Sequence, residues 1–204
     1  MHPFIELSPC DYADAVDRAQ FIDYAIKPLY HPMPRIAGPA FTVGCAPGDH
    51  LMLHAAVYRA QPGDIIVAQA DDQFALAGGN VCAIAKARGI AGFVIDGTVR
   101  DLAQIRDMQF PVFARGVMPK PGKKAYVSPL NQPIACGGAC INPGDIIVAD
   151  EEGIVVLPRY EADAHYKVAK ARADRDASMT LVEWRQQHEQ MVSEKLKALG
   201  FEEG

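Results

Sequence analysis

The spacing of apolar positions changes several times along the chain, and each change predicts an element. Between Asp11 and Ile26, Tyr12, Ala15, Val16, Ala19, Ile22 and Ile26 recur at helical spacing, which predicts one or two short helices. Pro28, Pro32, Pro34 and Pro39 then forbid regular helix. Residues 40–45 have the β-branched and aromatic content of a strand, and Gly48-Asp49 separates them from a helical pattern over residues 50–60. The heptapeptide from Pro62 to Ala68 recurs letter for letter from Pro143 to Ala149. Each copy predicts a tight turn, a carboxylate able to hold turn amides, and a strand buried on both faces. The flanking residues do not match, so the copies read as two similar strand starts rather than a duplication.

Between the copies the pattern is most regular. A strand at 65–69 leads to Gly78-Gly79-Asn80, a helix at 81–88, a strand at 92–96, a turn at Gly97, a helix at 100–108 and a strand at 111–114. This βαβαβ run with short connections predicts an α/β core with parallel strands. Residues 117–142 are rich in Gly and Pro, with strand-like pieces at 125–128 and 134–136 that suggest a second β layer. After a turn at Glu151-Glu152-Gly153 comes a strand at 154–157, and Pro158 ends the strands. From Tyr160 to Leu199 a broken apolar stripe runs through Ala164, Val168, Ala171, Met179, Leu181, Val182, Trp184, Met191, Leu196 and Leu199. The chain therefore divides into an α/β domain, 1–158, and a C-terminal helical arm, 159–204. An arm this long is expected to pack on a neighbouring subunit; a helix pair folded back on its own sheet is the other reading.

Composition narrows the function classes. Half of the 204 residues are apolar, enough to bury a core, yet no apolar stretch approaches the roughly 20 residues of a membrane span. The formal net charge is −5 with no basic run, which argues against a nucleic-acid partner. The first residues, Met1 to Glu6, do not read as a secretion signal, so the cytoplasm is the default compartment. Cys10, Cys45, Cys82, Cys136 and Cys140 are odd in number and scattered, as expected of reduced, small core-filling residues.

Candidate chemistry gathers at two places. The Gly78-Gly79-Asn80 turn opens a helix, where unpaired N–H groups at the positive end of the dipole bind anions. It lacks the full dinucleotide and P-loop patterns. Arg100 and Asp101 follow the strand at 92–96, beyond the carboxyl ends of parallel strands, where open α/β sheets bind ligands. Arg100 offers a planar fork for a carboxylate and Asp101 a hard oxygen for a divalent metal. His50 and His54 share i, i+4 spacing but have no Glu between them and no evident third ligand, so they read as helix-surface or interface residues. No G-x-S-x-G element supports a serine hydrolase.

The combination of Gly78-Gly79-Asn80 with residues 94–101, VIDGTVRD, resembles the RraA-like family, which includes 4-hydroxy-4-methyl-2-oxoglutarate/4-carboxy-4-hydroxy-2-oxoadipate aldolases. Residues 38–43, Pro62-Gly63-Asp64, residues 110–116 and Pro143-Gly144-Asp145 extend the similarity over about residues 11–158. The resemblance implies a swivelling, phosphohistidine-domain-like β/β/α fold, assembled as a trimer or a pair of trimers with active sites between subunits. It implies a class II pyruvate aldolase, using Mg²⁺ or Mn²⁺ and no Schiff-base lysine, that cleaves a 4-hydroxy-2-oxo acid and can decarboxylate oxaloacetate. By that carry-over Asp101 holds the metal and Arg100 the keto acid and later the enolate, while the amides of Gly79, Asn80, Val81 and Cys82 take the pyruvate carboxylate. Asp174 or Asp176, from a neighbour's arm, is the accessory acid. One departure is Gln104, where the family's R-D-x-x-E/D pattern has an acid; an amide carries no charge and cannot act as a base. The family also holds non-enzymatic regulators that inhibit a ribonuclease. Those regulators resemble this chain less, since they are shorter and lack the arm, the Gly-Gly-Asn turn and the Arg-Asp pair.

Overall fold

The computed structural model describes residues 3–201. Its elements, in chain order, are strands β1 (Lys27–Pro28) and β2 (Ile36–Gly44), helix α1 (Leu51–Val57), β3 (Ile65–Gln69), α2 (Gly79–Ala87), β4 (Gly92–Val99), α3 (Leu102–Asp107), β5 (Val112–Val117), β6 (Ile134–Cys136), β7 (Ala139–Ile141), β8 (Ile146–Asp150), β9 (Gly153–Leu157), α4 (Ala162–Ser178) and α5 (Leu181–Ala198). Seven strands form one sheet in the order β1-β5-β4-β3-β2-β8-β9, and β6 and β7 pair as a separate hairpin. The expected parallel core is present: β2, β3, β4 and β5 pair in parallel, with Thr42 opposite Val67 and Val67 opposite Val94.

The long strand β2 joins two halves of the sheet. Its first residues, Ile36–Pro39 by register, pair antiparallel with β8, and the register from Ala40 onward pairs in parallel with β3. The two copies of the heptapeptide thus flank one strand, one on each side and in opposite senses. Their aspartates hold the turns: Asp64 accepts from the Gln61 amide at 2.8 Å and Asp145 from the Asn142 amide at 2.7 Å. Both strands are buried on both faces, as their unbroken apolar runs predict. In β8 and β9 the alternation separates two cores. Ile147, Ala149, Ile154 and Val156 join the main core against β2–β5 and the first helices, while Ile146, Val148, Val155 and Leu157 face Phe4, Leu7 and Tyr12 and the first half of α4.

Four expectations are corrected. The N-terminal periodicity yields only 3₁₀ turns at Pro9–Tyr12 and Arg18–Gln20, because Ser8 and Asp17 cap segments too short to continue. Residues 125–128 form no strand, because Asp49 and Gly44 take their polar groups instead of a ladder partner. Gly97 is not a turn but lies inside β4, which shifts register against β5 between Ile95 and Thr98 and continues to Val99. Cys10 and Cys140 are exposed rather than core-filling, although all five thiols are free.

The C-terminal arm consists of two helices. α4 seats Ala162 and Ala169, two turns apart, on the second core, and Tyr166 meets Phe4 edge to face at 5.5 Å. Thr180 then caps α5 in a reciprocal box with Glu183. α5 buries none of its residues, and Leu181, Val182, Trp184, Met191 and Leu196 stand exposed. Among the described residues no helix is long and apolar enough to cross a membrane.

Candidate functional site

The parallel register brings the carboxyl ends of β2, β3 and β4 to one edge, and the chain leaving them builds a cleft of about 110 Å³. After β3 it comes alongside the end of β4 in parallel, with the Leu76 amide donating to Thr98 O at 2.8 Å, before opening α2 at Gly78. β4 in turn delivers Arg100, whose amide donates to Ala77 O at 2.9 Å, and then Asp101. The cleft is lined by His50, His54, Asn80, Arg100, Asp101 and Lys124, together with residues 75–78.

Asp101 has the least ordinary backbone at the site. It lies in the left-handed region at φ 62°, ψ 39°, as the residue preceding α3. Asp tolerates that region better than most residues, but the conformation still costs about 1 kcal/mol or more and marks a place where the fold dictates geometry. Its carboxylate turns onto the glycine turn, where Oδ2 accepts from the Gly79 amide at 3.0 Å and lies 3.7 Å from Arg100 Nε. The close approach explains both glycines. A Cβ on Gly78 would fall 2.5 Å from Asp101 Oδ2, and one on Gly79 would fall 1.9 Å from Gln104 Oε1. Gln104 therefore lies over the turn, one helical turn beyond Asp101.

The four expected anion-binding amides divide in two. Gly79 N–H is taken by Asp101, and Cys82 N–H by Gly78 O at 3.0 Å as the first regular helix bond. Asn80 and Val81 keep N–H groups that no carbonyl among the described residues accepts, at the positive end of α2. The Cys82 thiol is fully buried; burial first, and the nearby Asp101 charge second, push it up to about 12, so it is no nucleophile.

His50 and His54, expected as helix-surface or interface residues, wall the cleft. His50 directly precedes α1 and is buried, and the two rings stack with centroids 4.5 Å apart. Burial lowers both imidazoles, His54 to about 4, with further contributions from the facing Lys124 and Arg100 charges. Both are neutral at pH 7. The rule that placed Asp101 at a strand's carboxyl end applies equally to the helix after β2, and would have found this pair. Lys124 was beyond such a rule, because it comes from the irregular segment between β5 and β6.

Within one chain Asp174 and Asp176 do not line the cleft. Asp174 pairs with Lys170 at 2.5 Å, one turn earlier on α4, and Asp176 lies 3.6 Å from Arg172. Among the described residues no three His, Cys, Asp or Glu side chains converge to hold an ion. The donor set, one carboxylate with Oδ1 still free, suits a hard cation that keeps most of its waters, as Mg²⁺ does, better than zinc, which takes three or four protein ligands.

Known proteins place the chain in a family. Residues 9–156 match the model of the RraA-like family (Aldolase/RraA). A Halalkalibacterium halodurans protein named "Putative 4-hydroxy-4-methyl-2-oxoglutarate aldolase" is 42% identical over 168 residues, covering 81% of this chain and 80% of that protein. The crystal structure of an uncharacterized protein from Pseudomonas syringae pv. tomato superposes with a TM-score of 0.76 at 26% identity, over 89% of this chain and 90% of that one. The RNA-processing inhibitor RraA from Thermus thermophilis shares the fold with a TM-score of 0.66 over 74% of this chain and 93% of its own, at 24% identity. With the family model spanning most of its length and a relative this similar over four fifths of it, the chain belongs to the RraA-like family.

Proposed function

We propose that the cleft is the active site of a class II pyruvate aldolase, which cleaves a 4-hydroxy-2-oxo acid such as 4-hydroxy-4-methyl-2-oxoglutarate and can decarboxylate oxaloacetate. The observation that carries this reading is the left-handed Asp101, held against the Gly78–Gly79 turn beside Arg100. Asp101 would hold Mg²⁺ or Mn²⁺ through its free oxygen. Once bound, such an ion polarises the 2-oxo group and so supplies the electron sink that a Schiff-base lysine provides in other aldolases.

The chain's own residues then have separable tasks. The Asn80 and Val81 amides, on the dipole of α2, take the substrate's C1 carboxylate. This orients the 2-oxo oxygen toward Arg100, whose guanidinium donates hydrogen bonds to it. The C4 hydroxyl gives its proton to water, its oxygen becomes the carbonyl oxygen of the second product, and the C3–C4 bond breaks with its electron pair passing into the enolate of pyruvate. Arg100 stabilises that oxygen as its charge develops, and a proton returned from water to C3 completes pyruvate. Departure of CO₂ from oxaloacetate leaves the same enolate, so the same groups serve both reactions. Gln104 supports the turn but supplies no base.

The arm belongs to this reading as an intersubunit element. α5 presents its apolar residues away from its own core, and a second copy of this chain, in a trimer or a pair of trimers, is the partner that would cover them. In that assembly Asp174 or Asp176 would approach a neighbour's cleft.

Pyruvate release, coupled to lactate dehydrogenase, tests the lyase reading with 4-hydroxy-4-methyl-2-oxoglutarate and oxaloacetate, with metal and with chelator. Asp101→Asn is the variant of choice, because Asn also tolerates the left-handed region. Loss of about 10³-fold in kcat/KM, on the order of 4 kcal/mol, is expected with an unchanged circular dichroism spectrum. Metal-independent turnover, or a variant within tenfold of the parent, would sink it.

A further inference from the structure

Strand β4 carries one residue more than its neighbour can match. Against β5 it pairs Ile95 with Ala114 and then Thr98 with Gly116, so that Asp96 and Gly97 together stand opposite the single residue Arg115. Bulges of this kind are rare between parallel strands, and they bend the strand that carries them. Two features fit this one closely. Gly97 has no room for a side chain, since a Cβ there would fall 2.5 Å from Asp71 O and 3.1 Å from Ala70 Cβ. Across the bulge, Arg115 Nε donates to Asp96 Oδ1 at 2.5 Å, in an ion pair whose aspartate side chain is only 20% exposed.

That pair is tied down on both sides. The other carboxylate oxygen of Asp96 accepts from the Gly137 amide, in the turn between β6 and β7, at 2.7 Å. Arg115 Nη1 reaches Asp23 at 3.3 Å, and the Asp23 amide donates to Gly137 O at 2.8 Å, which closes a ring of contacts through the N-terminal segment. None of Asp23, Asp96, Arg115 and Gly137 lines the cleft. Everything that β4 delivers to the cleft, however, lies past the bulge. Thr98 O takes the Leu76 amide and Val99 O the Met118 amide, each at 2.8 Å, and Arg100 and Asp101 follow. In a strand a slip of one residue turns every following side chain to the opposite face, so the bulge decides which way Arg100 and Asp101 point.

We infer that Asp96 and Arg115 are positioning residues for the cleft: their ion pair clamps the bulge in β4 and thereby fixes the direction in which Arg100 and Asp101 leave the strand. The inference rests on reading the cleft as the active site, and it adds two residues that touch no substrate. An isolated exposed pair contributes too little to hold a strand in register. This pair is partly buried, shares its aspartate with a backbone amide, and sits where β4 and β5 lack one-to-one partners.

Arg115→Met and Arg115→Lys, with Arg35→Met as a control, separate positioning from plain support. Arg35 pairs with Asp150 at 2.9 Å, in the antiparallel half of the sheet, and lines no part of the cleft. Hydrogen exchange is the readout that needs no substrate. Arg115→Met should raise exchange by about tenfold or more at the Leu76, Arg100 and Met118 amides, whose bonds lie past the bulge, and leave the Phe93 amide before it within about threefold. Pyruvate release should fall by about 100-fold in kcat, as for a displacement of about 1 Å at reacting groups, and Arg115→Lys should recover all but about fivefold. Arg35→Met should lower the urea midpoint while leaving kcat and the one-sided exchange pattern untouched. Asp96→Asn, which keeps the shape of the pair and removes its charge, should give the same one-sided exchange and stands in if Arg115→Met does not fold. Exchange raised equally on both sides of the bulge, or on neither, would overturn the assignment whatever the fate of the lyase reading. One-sided exchange in a chain whose parent releases no pyruvate would uphold the clamp and reject the lyase reading alone.

Discussion

The run from β3 to β4 and the helix α5 use their apolar residues in opposite ways. Ile65, Ile66, Val67 and Ala68 of β3 and Phe93, Val94 and Ile95 of β4 have no exposed surface, while the eighteen residues of α5 include none that is buried. Burial in the first region holds the strand ends still, so that a left-handed aspartate, a glycine turn and two unpaired amides can persist at one edge. In α5 only a capping box and local contacts, such as Trp184 stacked on His188, organise the helix. The comparison separates a region whose apolar residues are buried within the chain from one whose apolar residues stay exposed on it.

The largest effect should follow from damaging the first region. Ile66→Ala in the middle of β3 removes packing that cannot close around the gap, at a cost of about 2–5 kcal/mol. Leu181→Ala or Leu196→Ala in α5, both exposed, should cost the isolated chain less than about 0.5 kcal/mol. Urea unfolding at low protein concentration measures both, and comparable losses would erase the distinction.

A smaller effect tests how tightly the glycine turn is fitted. Gly79→Ala places a methyl where Gln104 Oε1 now lies, so the glutamine must move or the turn must open. Gln104 is long and free to swing, so the stability cost should be modest, about 1 kcal/mol, with a larger loss in pyruvate release. Adding Gln104→Ala should restore part of both, with a coupling of about 1 kcal/mol between the two positions. Strict additivity in that cycle would mean that the two residues do not press on each other.

The strands around the site were legible because buried parallel strands are written as unbroken apolar runs, as in residues 65–68 and 146–149, and Arg100 and Asp101 follow directly from a strand's end. What holds Asp101 was not legible. Gly79 and Asp101 are 22 residues apart, and their contact depends on the backbone conformation of one residue, which no periodicity encodes. Lys124 was hidden for a related reason: its segment is fixed by the Asp49 carboxylate and by single backbone bonds, not by a repeating pattern. The break between α4 and α5 could have been read at Thr180, where a Thr three residues before Glu183 forms the capping box.

The histidines give a pH-dependent way to sharpen the comparison, since both belong to the cleft. His54 is held down to about 4 by burial first and then by His50 and Lys124, against the usual value near 6.5 in an unfolded chain. The unfolded state therefore takes up a proton that the folded state refuses. Its contribution to stability is complete above about pH 6.5 and is lost as the pH falls toward 4. Because water reaches part of the ring, the loss should be on the order of 1 kcal/mol between pH 7 and 5. His54→Gln should flatten that slope in urea midpoints; an equally steep slope in the variant would assign it to other groups.

The smallest expected effect is the one that bears most directly on the arm. Deleting residues 180–204 removes α5 and its cap but nothing that the core of the same chain uses, because the apolar contacts of the arm with that core come from α4, through Ala162, Tyr166, Ala169 and Ala173. The truncated chain should therefore unfold within about 0.5 kcal/mol of the full chain when both are diluted to monomers. The difference should appear only with concentration: binding between copies stabilises the folded state by mass action, so the full chain's midpoint should rise with concentration while that of the truncated chain stays flat. Sedimentation velocity on the same samples should show a larger species for the full chain alone. A truncated chain that melts far lower at every concentration would instead mean that α5 folds back on its own sheet, making the arm part of the same self-sufficient region as the strands.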